Sequence, residues 1–226
     1  MNMKEISKRL KEMKLGSYFR ELSIVIIGVA VTLYAGSVIT GIKEQKDLDL
    51  QLNAIYSELE ENSRRLDVII EYHKEHELLR NYLFKVVDDP EIYNNDTIIK
   101  YDNVLSTTTT FSYKRGAFDM FVNSGAMKLL SDRKQLLEIT ESYAMLDEFK
   151  HDNDLFFELK TEILGETYRM DRKLIFEKGS DLRSPHWNTK FNFHLLNNGM
   201  EESAIKVKQE LEKALSKQKY TWEYIK

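Results

Sequence analysis

The chain has 226 residues, with 33 Lys or Arg against 37 Asp or Glu for a net charge of −4, and no cysteine, which excludes a disulfide scaffold. Beyond residue 43 the balance is 26 cations to 34 anions, a net of −8, which argues against nucleic acid as a partner. Two prolines and nine glycines leave few breaks, so the composition favours long helices.

The first element is the run LSIVIIGVAVTLYAGSVITGI, Leu22 to Ile42, uncharged and long enough to cross about 30 Å of hydrocarbon as a helix. Before it stand Lys4, Lys8, Arg9, Lys11, Lys14 and Arg20; after it come only Lys43 and Lys46. Cations are retained on the cytoplasmic side, so the pattern predicts a bacterial inner-membrane protein that crosses once. Its N-terminus (1–21, basic) is expected in the cytoplasm and its C-terminal domain in the periplasm. A cleaved signal peptide would have a shorter apolar run, and Leu33 and Tyr34 spoil a small-x-small site around Ala35 and Gly36. Gly28, Thr32, Gly36 and Thr40 recur every four residues and place small side chains on one face. Such a face suits close approach by a second copy or by another membrane protein.

Residues 43–87 contain no Gly or Pro, and Leu48, Leu52, Ile55, Leu59, Leu66 and Ile69 form a helical stripe. Asp88-Asp89-Pro90 should end that helix, since proline disfavours helical geometry in the residue before it. From 88 to 131 the Asn94-Asn95-Asp96 loop, the β-branched run Thr107 to Thr110 and a short helix stopped near Gly125 are read as a distal cap. Asp132 and Gln135, at capping-box spacing, start a long helix over 132–178. Its expected core is Leu136, Tyr143, Leu146, Phe149, Phe156, Leu159, Ile163, Tyr168 and Leu174. A loop over 179–199 follows. A last helix over 200–226 is capped by Asn198 with Glu201 and packs through Ala204, Val207, Leu211, Leu215, Trp222 and Ile225. The expected fold is therefore all-α: the membrane helix continues into an elongated antiparallel bundle of three long helices. The first two ectodomain helices have nearly equal lengths, which suggests an antiparallel hairpin.

The span ELSIVIIGVAVTL, the polar helix containing LNAIYSELEENSRRL and the segment GAFDMFVNSGAMKLLSDRKQLLEITESY carry a resemblance. They are similar, over most of residues 18–145, to an uncharacterised bacterial family of short single-pass membrane proteins, a domain of unknown function. The resemblance implies location and shape; no activity is attached to that family.

Candidate sites are few. His73 and His76, with Glu77, share a turn and offer nitrogen and oxygen to zinc, yet EYHKEHE reads better as a solvated charged face, and no metal or other cofactor is expected. His151, Asp152 and Asp154 are read the same way, and Ser203 with Lys206 has Ser-x-x-Lys spacing on a charged helix. With no phosphate loop and no His-Glu-x-x-His, no catalytic residue is assigned and an enzyme is not expected. Trp187, Phe191 and Phe193 suit a membrane interface, and the hairpin would return their loop to the outer leaflet. Lys114, Arg115, Phe118 and Phe121 suggest a partner surface, or a plug for the bundle. The reading is a membrane-anchored structural or adaptor protein, with a sensory or ligand-binding module as the alternative.

Overall fold

The computed structural model describes residues 3–92, 94–101, 103–104, 107–167 and 199–218. The fold is all-α: α1 (Met3–Asp88), α2 (Asn95–Lys100), α3 (Gly116–Ser124), α4 (Arg133–Thr167) and α5 (Met200–Ser216), with short 3-10 turns at Pro90–Ile92 and Ala126–Lys128. The chain divides into two compact units, Met1–Leu50 and Gln51–Lys226. In the first, the helix is long and apolar enough to cross a membrane, and none of its most apolar window is buried. Gly28 and Gly36 have open space where a Cβ would stand, and Thr32 Oγ1 donates back to the Gly28 carbonyl at 2.8 Å.

In the second unit the buried positions follow a seven-residue repeat, the period at which gently supercoiled helices keep one seam facing their neighbours. On α1 the seam is Leu52, Ile55, Leu59, Asn62, Leu66, Ile69, His73 and His76, continuing to Leu83. On α4 it is Gln135, Ile139, Ser142, Leu146, Phe149, Asn153, Phe156, Lys160 and Ile163. On α5 it is Met200, Ala204, Val207, Leu211 and Ala214. Leu136, Leu159 and Leu215, expected in the core, are only half-buried. Ser142, Asn153 and Lys160 occupy the α4 seam instead, because the repeat rather than side-chain polarity sets which positions face inward.

Direction corrects the expected hairpin. Tyr56 pairs with Gln135, Glu58 with Tyr143, His73 with Phe156 and His76 with Lys160, so residue numbers rise together along α1 and α4. These two helices are parallel. Helix α5 runs against both: Glu201 lies beside Glu77, Lys208 bonds Asp67 at 2.5 Å and Lys217 pairs with Glu138 at 2.6 Å.

Parallel neighbours require the chain to return to its starting level, as parallel strands require a crossover. Residues 89–132 provide that return. They are not a distal cap. After α1 stops at Asp88, Tyr82 Oη accepts from the Asn94 amide at 2.7 Å and pins the turn. The chain then descends alongside α1: the Thr107 carbonyl meets Tyr72 Oη at 3.1 Å and the Ser112 carbonyl meets Arg65 at 3.1 Å. Further down, Lys114 is clamped by Asn62, Ala117 N reaches Glu58, and Ser124 Oγ donates to Gln51. It covers the length from Asp88 back to Gln51, about 55 Å at 1.5 Å per helical residue. The non-helical Thr107 to Thr110 run is the upper part of this ribbon. Its backbone polar groups are paired by side chains rather than by a sheet, which is why the seam carries Asn62 and Asn153.

Local signals read from the sequence hold at several ends. Gly125, at φ +76°, terminates α3 in the left-handed region that favours glycine. Asp132 Oδ1 accepts from the Lys134 and Gln135 amides at 2.9 and 3.0 Å, but the Gln135 side chain does not close the box; it donates to Tyr56 Oη at 2.6 Å. Helix α5 is preceded by Gly199 at φ +64°, with no side-chain cap bond from that residue. Tyr168, Leu174, Asn198, Trp222 and Ile225, like the loop bearing Trp187, Phe191 and Phe193, lie outside the described residues. The premise that returned that loop to the membrane, an antiparallel α4, does not hold.

Candidate functional site

The residues that stand out chemically are buried where α1, the ribbon and α4 meet. Lys160 enters from the α4 seam and is 1% exposed. Its Nζ lies 2.7 Å from Tyr72 Oη, 2.8 Å from His76 Nε2 and 2.7 Å from the Val104 carbonyl. These are three partners for the three N–H bonds of an ammonium group. None is a carboxylate.

The tautomer of His76 follows from its other side. Nδ1 sits 2.9 Å from the Tyr72 carbonyl, which only accepts, so Nδ1 carries the proton and Nε2 offers its lone pair to Lys160. His73, one turn away and 2% exposed, stacks edge-on with Phe156 at 5.1 Å between ring centres, and among the described residues neither of its ring nitrogens has a hydrogen-bond partner.

Burial governs the protonation equilibria. It lowers His73 to about 4 and His76 to about 3, helped in each case by the Lys160 charge. It lowers Lys160 to about 7, so ammonium and amine are both populated near neutrality. Burial also raises Tyr72, with a further push from Glu75, and the phenol keeps its proton.

This placement corrects the reading of His73, His76 and Glu77 as a solvated face or a loose zinc turn. Two of the three are core, because His73 and His76 fall on the seven-residue seam that Leu66 and Ile69 define. Both His76 nitrogens are engaged, Nδ1 by the Tyr72 carbonyl and Nε2 by Lys160. Glu77 faces outward and pairs with Arg80 at 3.2 Å. His151 and Asp152 are exposed, Asp154 pairs with Lys150, and Lys206 pairs with Glu202.

The expected partner surface splits. Phe118 and Phe121 are buried at 5% and 0%, Phe118 stacking on Tyr143 at 4.2 Å, so they are the plug rather than the surface. Arg115 pairs with Asp119 and Asp147 and covers the Phe118 ring, while Lys114 reaches toward Glu61 at 3.9 Å. Of the four, only the two cations remain accessible.

Glu58 was missed by sequence reasoning. Its carboxylate accepts from the Ala117 amide at 2.9 Å and from Tyr143 Oη at 2.6 Å, capping α3 from another helix, where the dipole favours an anion. Lys160, Tyr72, Asn62 and Asn153 were missed too. The signal was present, since all but Tyr72 lie on the repeat set by their apolar neighbours.

A lowered amine pKa is also found in lysines that attack carbonyls. Here Nζ is buried and engaged by three partners. The arrangement defines a class: an all-α chain with a membrane-length apolar helix and a titratable polar layer inside a parallel-helix bundle. No family model, no curated protein and no solved structure matches the chain.

Proposed function

We propose that this chain is a non-enzymatic, single-pass membrane protein acting as a structural or adaptor subunit that presents a helical surface in the bacterial cell envelope. The observation that carries the reading is the N-terminal helix, whose apolar window is of membrane length and has no buried residue. The bundle supports it from the other side. Its interior polar groups are spent largely on one another and on the ribbon backbone, so what it offers an outside molecule is surface. The lipid bilayer is the first partner, and the cation asymmetry across Leu22 to Ile42 puts the bundle in the periplasm. The open face of Gly28, Thr32, Gly36 and Thr40 suits a second helix, from another copy or another membrane protein.

The test is photo-crosslinking of the full chain in intact cells, with the reactive residue placed in turn at the exposed Ile39, Val68 and Leu155. Discrete adducts from the span and from the bundle are expected. Gly36→Ile should abolish the span adduct while Val31→Ile leaves it. A periplasm-dependent reporter fused after Lys226 should be active. Cytoplasmic activity of that reporter, or no discrete adduct from any position, would overturn the proposal. A second reading, a sensory module acting through a membrane partner, is favoured by the Lys160 layer, since ionisable groups enclosed in a bundle respond to conditions outside it.

A further inference from the structure

Lys160 has three neighbours, and two of them can only accept. The Val104 carbonyl has no proton, and His76 Nε2 has none because the Tyr72 carbonyl holds the imidazole proton on Nδ1. Tyr72 Oη is different: a hydroxyl both accepts and donates. While Lys160 is an ammonium, it donates to all three, and Tyr72 passes its own proton to the Thr107 carbonyl at 3.1 Å. The amine form has two N–H bonds and one lone pair for the same three neighbours. Only the Tyr72 hydroxyl can fill that lone pair, and it must leave Thr107 to do so.

We propose that Lys160 and Tyr72 form a proton-operated fastener for the descending ribbon: loss of a proton from Lys160 turns the Tyr72 hydroxyl from the Thr107 carbonyl to Nζ and releases the ribbon at Thr107. The proton lost by Lys160 goes to solvent, and no bond other than hydrogen bonds changes.

The surroundings leave this exchange to Lys160 and Tyr72. From α1, His73 and His76 are neutral through the neutral range, and Glu75 acts on Tyr72 by keeping its phenol protonated. From α4 the neighbour is Phe156, which does not titrate. From α5, Glu201 faces Glu77 and Lys74, and Lys208 is held by Asp67. The ribbon contributes backbone carbonyls. Among the described residues no carboxylate pairs with Lys160, and burial is what shifts its proton affinity into the neutral range.

The experiment is hydrogen exchange on the full chain in lipid nanodiscs from pH 5.5 to 9, with rates over Thr107–Phe111 corrected for the intrinsic pH dependence of exchange. Loss of one hydrogen bond of ordinary net strength should raise corrected exchange about fivefold in one step centred near pH 7. The step should vanish in Lys160→Met and in Tyr72→Phe. A flat wild-type profile overturns the proposal, and so does a step that persists in Tyr72→Phe. If Lys160→Met loses its helical circular dichroism, the milder Tyr72→Phe, which keeps the ring, decides alone.

Discussion

The bundle holds a half-buried acid at one level and a buried base at another, and the two are answered differently. Near Gln51, the Glu58 carboxylate receives the first amides of α3 and the Tyr143 hydroxyl, while Tyr56 and Gln135 close the adjoining layer. Toward Asp88, Lys160 is met only by a phenol, an imidazole and a carbonyl, none of them charged. A charge answered by neutral acceptors, and removed from water, is held close to the point of losing its proton. The Glu58 carboxylate therefore serves as a helix cap beside the seam, and the Lys160 layer on the α4 seam as a titratable element.

The strongest way to break this contrast is acid. His73 and His76 have folded pKa values of about 4 and about 3 against an ordinary 6.5, so the unfolded chain binds protons first as pH falls. Their contribution is intact above pH 6.5 and is lost below it, by up to about 6 kcal/mol at pH 4, counting about 1.4 kcal/mol per unit. Urea titrations of the full chain in detergent should show this loss, and His73→Leu should remove part of it. An unchanged acid limb in that variant would show the upper layer to be no more titratable than the lower.

Alkali tests the same layer with the opposite sign of travel. Lys160 titrates at about 7 when folded and near 10.5 when unfolded, so stability rises as pH increases between those values, by up to about 4 kcal/mol. Lys160→Met should be flat across that window. The global gain runs against the local loosening expected at Thr107, so denaturation and hydrogen exchange on one sample should move in opposite directions.

Glu58→Ala probes the lower layer. It strands the buried Tyr143 hydroxyl and uncaps α3, which should cost on the order of 3 kcal/mol in the urea midpoint at pH 7. Glu58→Gln retains an acceptor and should cost less. Equal costs would show that the charge, rather than the acceptor alone, holds that helix end.

The smallest effect sharpens the contrast. Among the described residues nothing bonds the two His73 ring nitrogens inside the seam, so His73→Leu, similar in volume, should raise stability at pH 7 by about 1 kcal/mol. A loss instead would mean that the imidazole is held by interactions beyond its ring stacking on Phe156.

What the sequence determined by itself was local. The apolar run from Leu22 to Ile42, the stop before Pro90, the non-helical threonines, the glycine end of α3 at Gly125 and the Asp132 cap all depend on residues within a few positions of one another. The leucine and isoleucine stripe of α1 was legible for the same reason. Direction was decided only by the tertiary structure, because two helices of matched length pack equally well parallel or antiparallel by hydrophobic pattern alone. What distinguishes the two is the connection: residues 89–132 are far longer than an antiparallel helix pair needs and long enough to travel back down α1. The polar layers were hidden by the same habit of reading. Asn62, His73, His76, Asn153 and Lys160 look like solvent-facing residues taken one at a time, and only a partner brought from elsewhere in the chain makes their burial tolerable. Asn62 needs Lys114, Asn153 needs Phe111 and Lys160 needs Tyr72, His76 and Val104, contacts that no local pattern encodes and that only the folded chain brings together.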